Sequence, residues 1–283
     1  MTSECKEVEP LPVYRVMARN TSADSENRMH DDTTAAQYGF RGGLVPGVTI
    51  YAYMTVPVVH RLGRDWLERG SMKVRFLQPF YDREPLVVRA DATSEAGLVH
   101  ISVRAERESG ELCATAEANL SGGRNDLPSP IYIQQIEQDV TLPAPGDRPA
   151  AAPDFFKPGT IFGALKEKVD LQAIGASLLS QIEERLPVYY GSEAVVHPIT
   201  LLSLCNRILM ENRKLGPWIH TGSDLLNCGA VHDGETVTVR GLVHDCFERK
   251  GHEFVVLDLV LSSGNRVVQK VRHTAIYKPR KPN

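Results

Sequence analysis

"LVHISVRAERESGELCATAEANL", residues 98–120, holds two alternating runs joined by a short polar segment. In the first, Val99, Ile101, Val103 and Ala105 alternate with His100, Ser102, Arg104 and Glu106. In the second, Leu112, Ala114, Ala116, Ala118 and Leu120 alternate with Cys113, Thr115, Glu117 and Asn119. Successive side chains of a strand point to opposite faces, so both runs read as antiparallel strands with one buried face. "ESGE" between them supplies a hairpin turn. "SMKVRFLQPF" and "EPLVVRADAT" precede the hairpin as two further strands. Ahead of these, "VTIYAYMTVPVVHRLG" (48–63) is apolar on every side, which predicts a helix buried all round. Pro57 predicts a kink or break in it near Tyr53.

The same order of loop, apolar helix and strands returns later in the chain. At a shift of 151 residues "FYDREPLVVRA" (80–90) falls on "VHDGETVTVRG" (231–241), so Asp82 meets Asp233, Glu84 meets Glu235 and Arg89 meets Arg240. The same shift places Pro46 on His197 and Ile50 on Leu201. Two segments that agree at one offset, in the same structural context, indicate an internal duplication. The second helix, "ITLLSLCNRILMENRKLG", has Gly216 as a natural stop. Residues 123–158 separate the copies and carry seven of the chain's eighteen prolines. Proline fixes φ and lacks a donor, so this segment reads as an extended linker, with "IYIQQIEQ" as a short edge strand. The expected organisation is an N-terminal unit over 1–122, the linker, and a C-terminal unit over 159–283. The expected fold class is α+β: two antiparallel sheets, each wrapped around a central helix that the small side chains of Ala114, Ala116 and Ala118 allow to approach, and joined edge to edge because each copy alone leaves strand edges that need covering.

Composition narrows the function. A net charge of -3 with no basic cluster gives no footprint for nucleic acid or an anionic membrane. No apolar run approaches the ~20 residues of a membrane span. The cysteines are five, an odd number, widely spaced and without a C-x-x-C pair, which points to reduced thiols and a cytoplasmic protein. The acidic N-terminus does not read as a signal peptide. The two histidines and the cysteine of "VHDCFERKGHE" match no zinc spacing, and no nucleotide-loop or hydrolase motif is present, so no metal or cofactor is expected.

Three short stretches carry a resemblance. "SENRMH" (25–30), "AAQYGF" (35–40) and "GLVPG" (43–47) resemble the MaoC-like acyl-CoA hydratase/dehydratase family of the hotdog fold, with its D-x-N-P-x-H loop, its G-F and its H-G before the long helix. With two units in one chain, the resemblance is to a double hotdog. It places the family's histidine at His30 and its asparagine at Asn27, with Gly47 keeping the glycine of H-G. The family's aspartate falls on Ser25, its proline on Arg28, and the histidine of H-G on Pro46. The resemblance implies that His30 and the residue at 25 handle protons, while the Gly47 amide polarises the thioester carbonyl. The second role also follows from the free N–H groups and dipole of a helix N-terminus.

A serine is a poor base, so Asp24, Glu26, Asp31 or Asp32 could supply the missing carboxylate. Asp31, Asp32, Pro46 and Arg41 are the candidate substrate contacts, and Arg61 and Arg64 are near enough in sequence to meet CoA phosphates. In the second copy Ala176, Leu178 and Gln181 stand at the motif positions, so one site per chain is expected. His197 reads chiefly as a residue that satisfies a helix N-terminus, and alternatively as a remnant of H-G. For His30 the plain alternative is a loop residue bonded to Asp31 or Asp32. The functional alternatives are a hydratase/dehydratase acting on acyl-CoA or a carrier-borne acyl thioester, a hotdog thioesterase, and a non-catalytic acyl-thioester binder. The expected assembly is a homodimer of double hotdogs.

Overall fold

A computed structural model describes residues 8–121 and 140–282. The edge strand read from "IYIQQIEQ" lies outside the described residues. The first half contains strands β1 (Val8–Pro10) and β2 (Tyr14–Met17) and helices α1 (Asp32–Ala36) and α2 (Gly47–Arg69). Strands β3 (Ser71–Phe76), β4 (Pro85–Glu95), β5 (Leu98–Arg107) and β6 (Leu112–Leu120) complete it. The second contains β7 (Leu165–Lys168), α3 (Leu171–Ser177) and α4 (Pro198–Asn212), then β8 (Ile219–Asn227), β9 (Thr236–Arg249), β10 (His252–Ser263) and β11 (Arg266–Lys278).

The duplication is visible residue by residue. β2 pairs with β4 through Tyr14 opposite Val88, and β7 pairs with β9 through Leu165 opposite Val239, each position displaced by 151. The turn before each long strand is built alike. Glu84 Oε2 accepts from the Tyr81 amide at 3.1 Å, and Glu235 Oε2 accepts from the His232 amide at 2.7 Å. Pro46 and His197 stand at the N-caps of α2 and α4.

The two sheets join edge to edge into one, as expected. The strands run β1-β4-β5-β6-β3-β8-β11-β10-β9-β7, with β2 also on β4. The halves meet where β3 pairs antiparallel with β8, Met72 opposite Leu225 and Val74 opposite Ser223. Each half would otherwise expose a row of unpaired N–H and C=O groups along that edge, and the pairing satisfies both rows. The interior is likewise shared: one continuous apolar cluster runs from Tyr51, Met54 and Trp66 of the first half to Leu202, Cys205 and Leu225 of the second.

Three local expectations change. Helix α2 passes through Pro57 and bends at Gly63, where φ is 62° and ψ is -150°. Pro57 removes one intrahelical bond, which burial on all sides tolerates, whereas the left-handed bend needs a residue without Cβ. Helix α4 ends at Asn212 rather than at Gly216, because the Asn212 side chain accepts from Gly163 N (2.6 Å) and donates to Gly163 O (3.0 Å), fixing the chain's exit early. In the β5–β6 hairpin a register shift between Ala105 and Glu106 inserts Cys113 into the buried face and leaves Leu112 exposed. A bulge re-phases the alternation beyond it. Among the described residues no helix is long and apolar enough to cross a membrane.

Candidate functional site

The loop from Asn20 to Gly47 is held over a cavity by its own short elements. Residues 28–30 form one 3-10 turn, capped by the Asn27 side chain, and Asp31 caps α1 by accepting from Thr34 N and Thr34 Oγ1, both at 2.9 Å. Met29, Ala35 and Leu44 form a small buried cluster beneath it, packed by Tyr38, Phe40 and Ile219. Below this lid lies a cavity of about 260 Å³. Its wall is largely apolar, with Leu44, Val45, Ile50, Phe76 and Phe80 from the first half and Ile219 and Ile276 from the second. Its polar lining is Asn27, His30, Gln78, Asn206, His220, Thr221 and His252, with the backbone of Gly47. No carboxylate lines it among the described residues.

The proton inventory of the loop follows from its hydrogen bonds. Asn27 is buried, and its Oδ1 accepts from the amides of Met29 (3.2 Å) and Trp218 (3.1 Å). Its Nδ2 therefore faces the other way, donating to Trp218 O at 3.0 Å and lying 3.2 Å from His30 Nε2. His30 Nε2 must then accept, so the ring proton sits on Nδ1 and is donated to Leu44 O at 2.7 Å. The imidazole is neutral with a fixed tautomer, its basic nitrogen being Nε2. Burial pushes its pKa down, against the Leu44 carbonyl, which acts the other way.

Gly47 opens α2 at the cavity wall, so its N–H has no intrahelical partner. A Cβ at Gly47 would lie 2.9 Å from Phe76 Cε2 and 3.1 Å from His220 Nδ1, so only glycine lets these two rings reach the helix end. His220 is buried, its ring edge-to-face with Phe76 at 5.0 Å, and its Nδ1 has no hydrogen-bond partner. Trp218 Nε1 and Asn206 Oδ1 are also buried without partners.

The structure does not bring the other sequence candidates here. Ser25 donates to the Asn27 carbonyl at 3.3 Å and lines a separate cleft with Arg19 and Asp82. Asp31 caps α1 and pairs with Arg28, and Asp32 accepts from Gly43 N at 2.7 Å. Both carboxylates are consumed in shaping the loop. Arg41 pairs with Glu84 and lies over the Tyr81 ring at 4.2 Å. Arg61 pairs with Glu9 and Arg64 with Glu68, far along α2 from Gly47. His30, Asn27, Pro46 and Gly47 do converge on the cavity. Sequence reading missed the second half's share of it. His220 lies on the buried phase of "IHTGSDLLN", a polar residue at an inward strand position, and that was the available signal.

The matching position in the second copy is closed. Val195, Val196, Pro198 and Leu201 stand where Leu44, Val45, Gly47 and Ile50 stand in the first, around only about 10 Å³ of space with Leu67 of α2 packed in. Pro198 has no N–H, so the amide that Gly47 offers does not exist here. His197 is buried and accepts from Ile199 N at 3.1 Å through Nδ1, capping α4. Its Nε2 faces Glu184 at 3.7 Å. Burial favours the neutral forms of both, and it holds His197 low. For Glu184 the nearby His197 and the Leu186 and Arg185 amides, both donating to Oε1 at 2.7 Å, outweigh burial and hold its carboxyl below the usual value.

No sequence family profile matches the chain, and no curated protein matches it in sequence. Solved structures match in shape over nearly its whole length. A Chloroflexus aurantiacus J-10-fl protein described as a MaoC domain dehydratase superposes with a TM-score of 0.67 at 10% identity, covering 97% of this chain and 95% of that one. A conserved hypothetical protein from Mycobacterium tuberculosis, described as having a double hotdog fold, gives 0.56 at 17% identity over 94% and 96%. The chain has the double hotdog fold. A Lactobacillus plantarum protein described as an oleoyl thioesterase aligns equally fully, with a TM-score of 0.56 at 8% identity over 98% of each chain. The architecture is thus shared by proteins described as dehydratases and as thioesterases, and the choice of chemistry rests on the cavity.

Proposed function

We propose that this double hotdog binds an acyl thioester, as acyl-CoA or on a carrier, in the cavity under the 20–47 loop and interconverts its enoyl and 3-hydroxyacyl forms. The observation that carries the reading is His30, a neutral imidazole that lines the same cavity as the N-terminus of α2, with its Nδ1–H committed to Leu44 O and the lone pair left on Nε2. With the thioester carbonyl at the Gly47 amide, His30 Nε2 takes a proton from water as the oxygen adds to the β-carbon. The electron pair of the double bond moves toward the carbonyl oxygen, and the same imidazolium returns its proton to the α-carbon. One base at one position suffices because the proton it takes is the proton it gives. Asn27 Nδ2 at 3.2 Å holds that lone pair weakly enough for water to compete.

The apolar wall accommodates a short acyl chain, and the handle would leave past His252, whose Nδ1 accepts from Arg280 N at 3.1 Å. Arg280 and Lys281, the latter over the Tyr38 ring at 5.6 Å, replace Arg41, Arg61 and Arg64 as the cations placed for a phosphate. A second reading, binding without turnover, is favoured by the lack of a carboxylate among the lining residues. Loss of crotonyl-CoA absorbance separates the two. Wild type is expected to hydrate it, and His30→Ala to lose on the order of 10²-fold or more in kcat. Thiol release without hydration would mark a thioesterase, and binding alone the non-catalytic reading.

A further inference from the structure

The cavity wall continues onto an open stretch of sheet surface. Ile276 lines the cavity, and in register across the next two strands stand Phe254 of β10 and Phe247 of β9. Directly opposed residues share a face, so the three form one apolar row. Strands lie about 4.8 Å apart, which carries the row about 10 Å outward from Ile276. Ile276 is nearly covered, whereas Phe247 is 38% exposed. The two phenyl rings stack at 5.0 Å with 8° between their planes. His252, which also lines the cavity, stands edge-on to Phe254 at 6.4 Å. On its other side β9 pairs with β7 only over Thr236–Val239, so among the described residues no strand adjoins Phe247 there.

Four cations stand at the hairpin end of this row. Arg249 lies opposite His252, Lys250 sits in the turn, and the C-terminal tail adds Arg280 and Lys281. All four are exposed, and among the described residues none is in an ion pair, whereas Lys278 is spent on Glu253. The tail is held in place. Pro279 is buried, and His252 Nδ1 accepts from Arg280 N at 3.1 Å. That bond needs an unprotonated Nδ1, and burial, with the Arg280 charge, holds the His252 pKa below its ordinary value. A Cβ at Gly251 would lie 2.9 Å from Arg280 Cδ, so the Arg280 stem rests against the turn. Lys281 stands over the Tyr38 ring at 5.6 Å, and a Cβ at Gly39 would lie 3.3 Å from Pro282 Cγ. The tail thus runs from the second half's hairpin to the first half's loop. Asp245, two residues before Phe247 on the same face, accepts from the Cys246 amide at 2.8 Å, and Glu248 falls on the opposite face.

We propose that this surface binds the nucleotide end of CoA, with the adenine laid against the exposed Phe247 ring and the phosphates among Arg249, Lys250, Arg280 and Lys281. The inference rests on the acyl-thioester reading and narrows its substrate to thioesters of free CoA. An exposed aromatic ring offers stacking to a purine, and unpaired cations offer charge-assisted bonds to phosphate oxygens. The two features lie side by side, at the end of an apolar row that a pantetheine arm would follow out of the cavity. The acidic surface of a carrier protein would use the cations and leave the aromatic pair without a part.

Calorimetric titration of the full chain with butyryl-CoA and with butyryl-pantetheine, which lacks the nucleotide, tests it. Wild type should bind butyryl-CoA at least about ten-fold more tightly, and raised salt should shrink the difference. Phe247→Ala should cut that preference by roughly three-fold or more, and so should the double variant Arg280→Gln with Lys281→Gln. Phe247→Trp, which keeps a stacking surface, should retain the preference. Should Phe247→Ala fail to fold, Phe247→Leu carries the same comparison. Equal affinities for the two thioesters in wild type, or a preference that either the alanine or the double variant leaves intact, overturns the inference alone. Tight binding of a butyryl-carrier protein that needs Arg280 and Lys281 but not Phe247 would place a protein on this surface and overturn it as well. Wild type that binds neither thioester overturns it together with the reading beneath it.

Discussion

Asn27 in the first half grips the backbone of Trp218 in the second on both sides: the Trp218 amide donates to Oδ1 at 3.1 Å, and Nδ2 donates to the Trp218 carbonyl at 3.0 Å. The same amide sets the tautomer of His30, so one side chain joins the halves and prepares the base. Asn27→Ala strands buried polar groups at Trp218 and Met29 and should cost about 2–4 kcal/mol in denaturant unfolding. Asn27→Asp should do more to His30 than to packing, because a carboxylate oxygen beside Nε2 favours the imidazolium. NMR titration should show the His30 pKa raised relative to wild type.

Stability should depend on pH through histidines that the fold keeps neutral. His220 and His273 are held far below the ordinary histidine value by burial, His273 at about 3. The unfolded chain takes up these protons near ~6.5 while the folded chain refuses them, so the unfolded state binds more protons as pH falls. Their contribution is fully present above the ordinary histidine pKa and is lost progressively below it, on the order of 1 kcal/mol per pH unit for each. Carboxylates such as Glu184 add their loss only at lower pH. Thermal melts should show Tm falling between pH 7 and 5, and a flat Tm there would contradict the buried neutral pair.

Gly47→Ala should abolish binding more than folding. The added methyl meets Phe76 Cε2 at 2.9 Å and His220 Nδ1 at 3.1 Å, so both rings, which line the cavity, must shift. Acyl-CoA affinity measured by calorimetry should fall at least ten-fold, while Tm changes by only a few degrees.

Ser25→Asp should leave hydration within about two-fold of wild type. The resemblance places a catalytic carboxylate at this position, but Ser25 Oγ turns to the Asn27 carbonyl and faces the cleft shared with Asp82. A large gain in crotonyl-CoA hydration would show that the loop rearranges around substrate.

Much of the fold was legible in the sequence because alternation and repetition are local. The 98–120 hairpin, the two buried helices and the offset of 151 all leave direct marks. The joining of the two sheets edge to edge followed from strand edges that need covering, but which strands meet was not legible, since β3 and β8 carry no sign of which edge each will cover. Pro57 and Gly63 illustrate a second limit. The breaker with the stronger reputation was tolerated by burial, and the bend went to the residue that can reach positive φ. At the site, His30, Asn27 and Gly47 were visible as a loop motif. Asp31, Asp32 and Arg41 looked equally suitable, because a sequence does not reveal which charges are spent on capping and pairing. His220 was hidden by distance along the chain, although its place on an inward strand phase marked it as unusual.

The central claim is that one acyl-thioester site is built per chain, from the first copy's loop and helix end and the second copy's strand. Calorimetric titration of the full chain with butyryl-CoA tests it most directly, alongside the Gly47→Ala variant. The account predicts one molecule bound per chain in wild type and none in the variant at the same concentrations. Two equivalent sites per chain, or undiminished binding by Gly47→Ala, would contradict it.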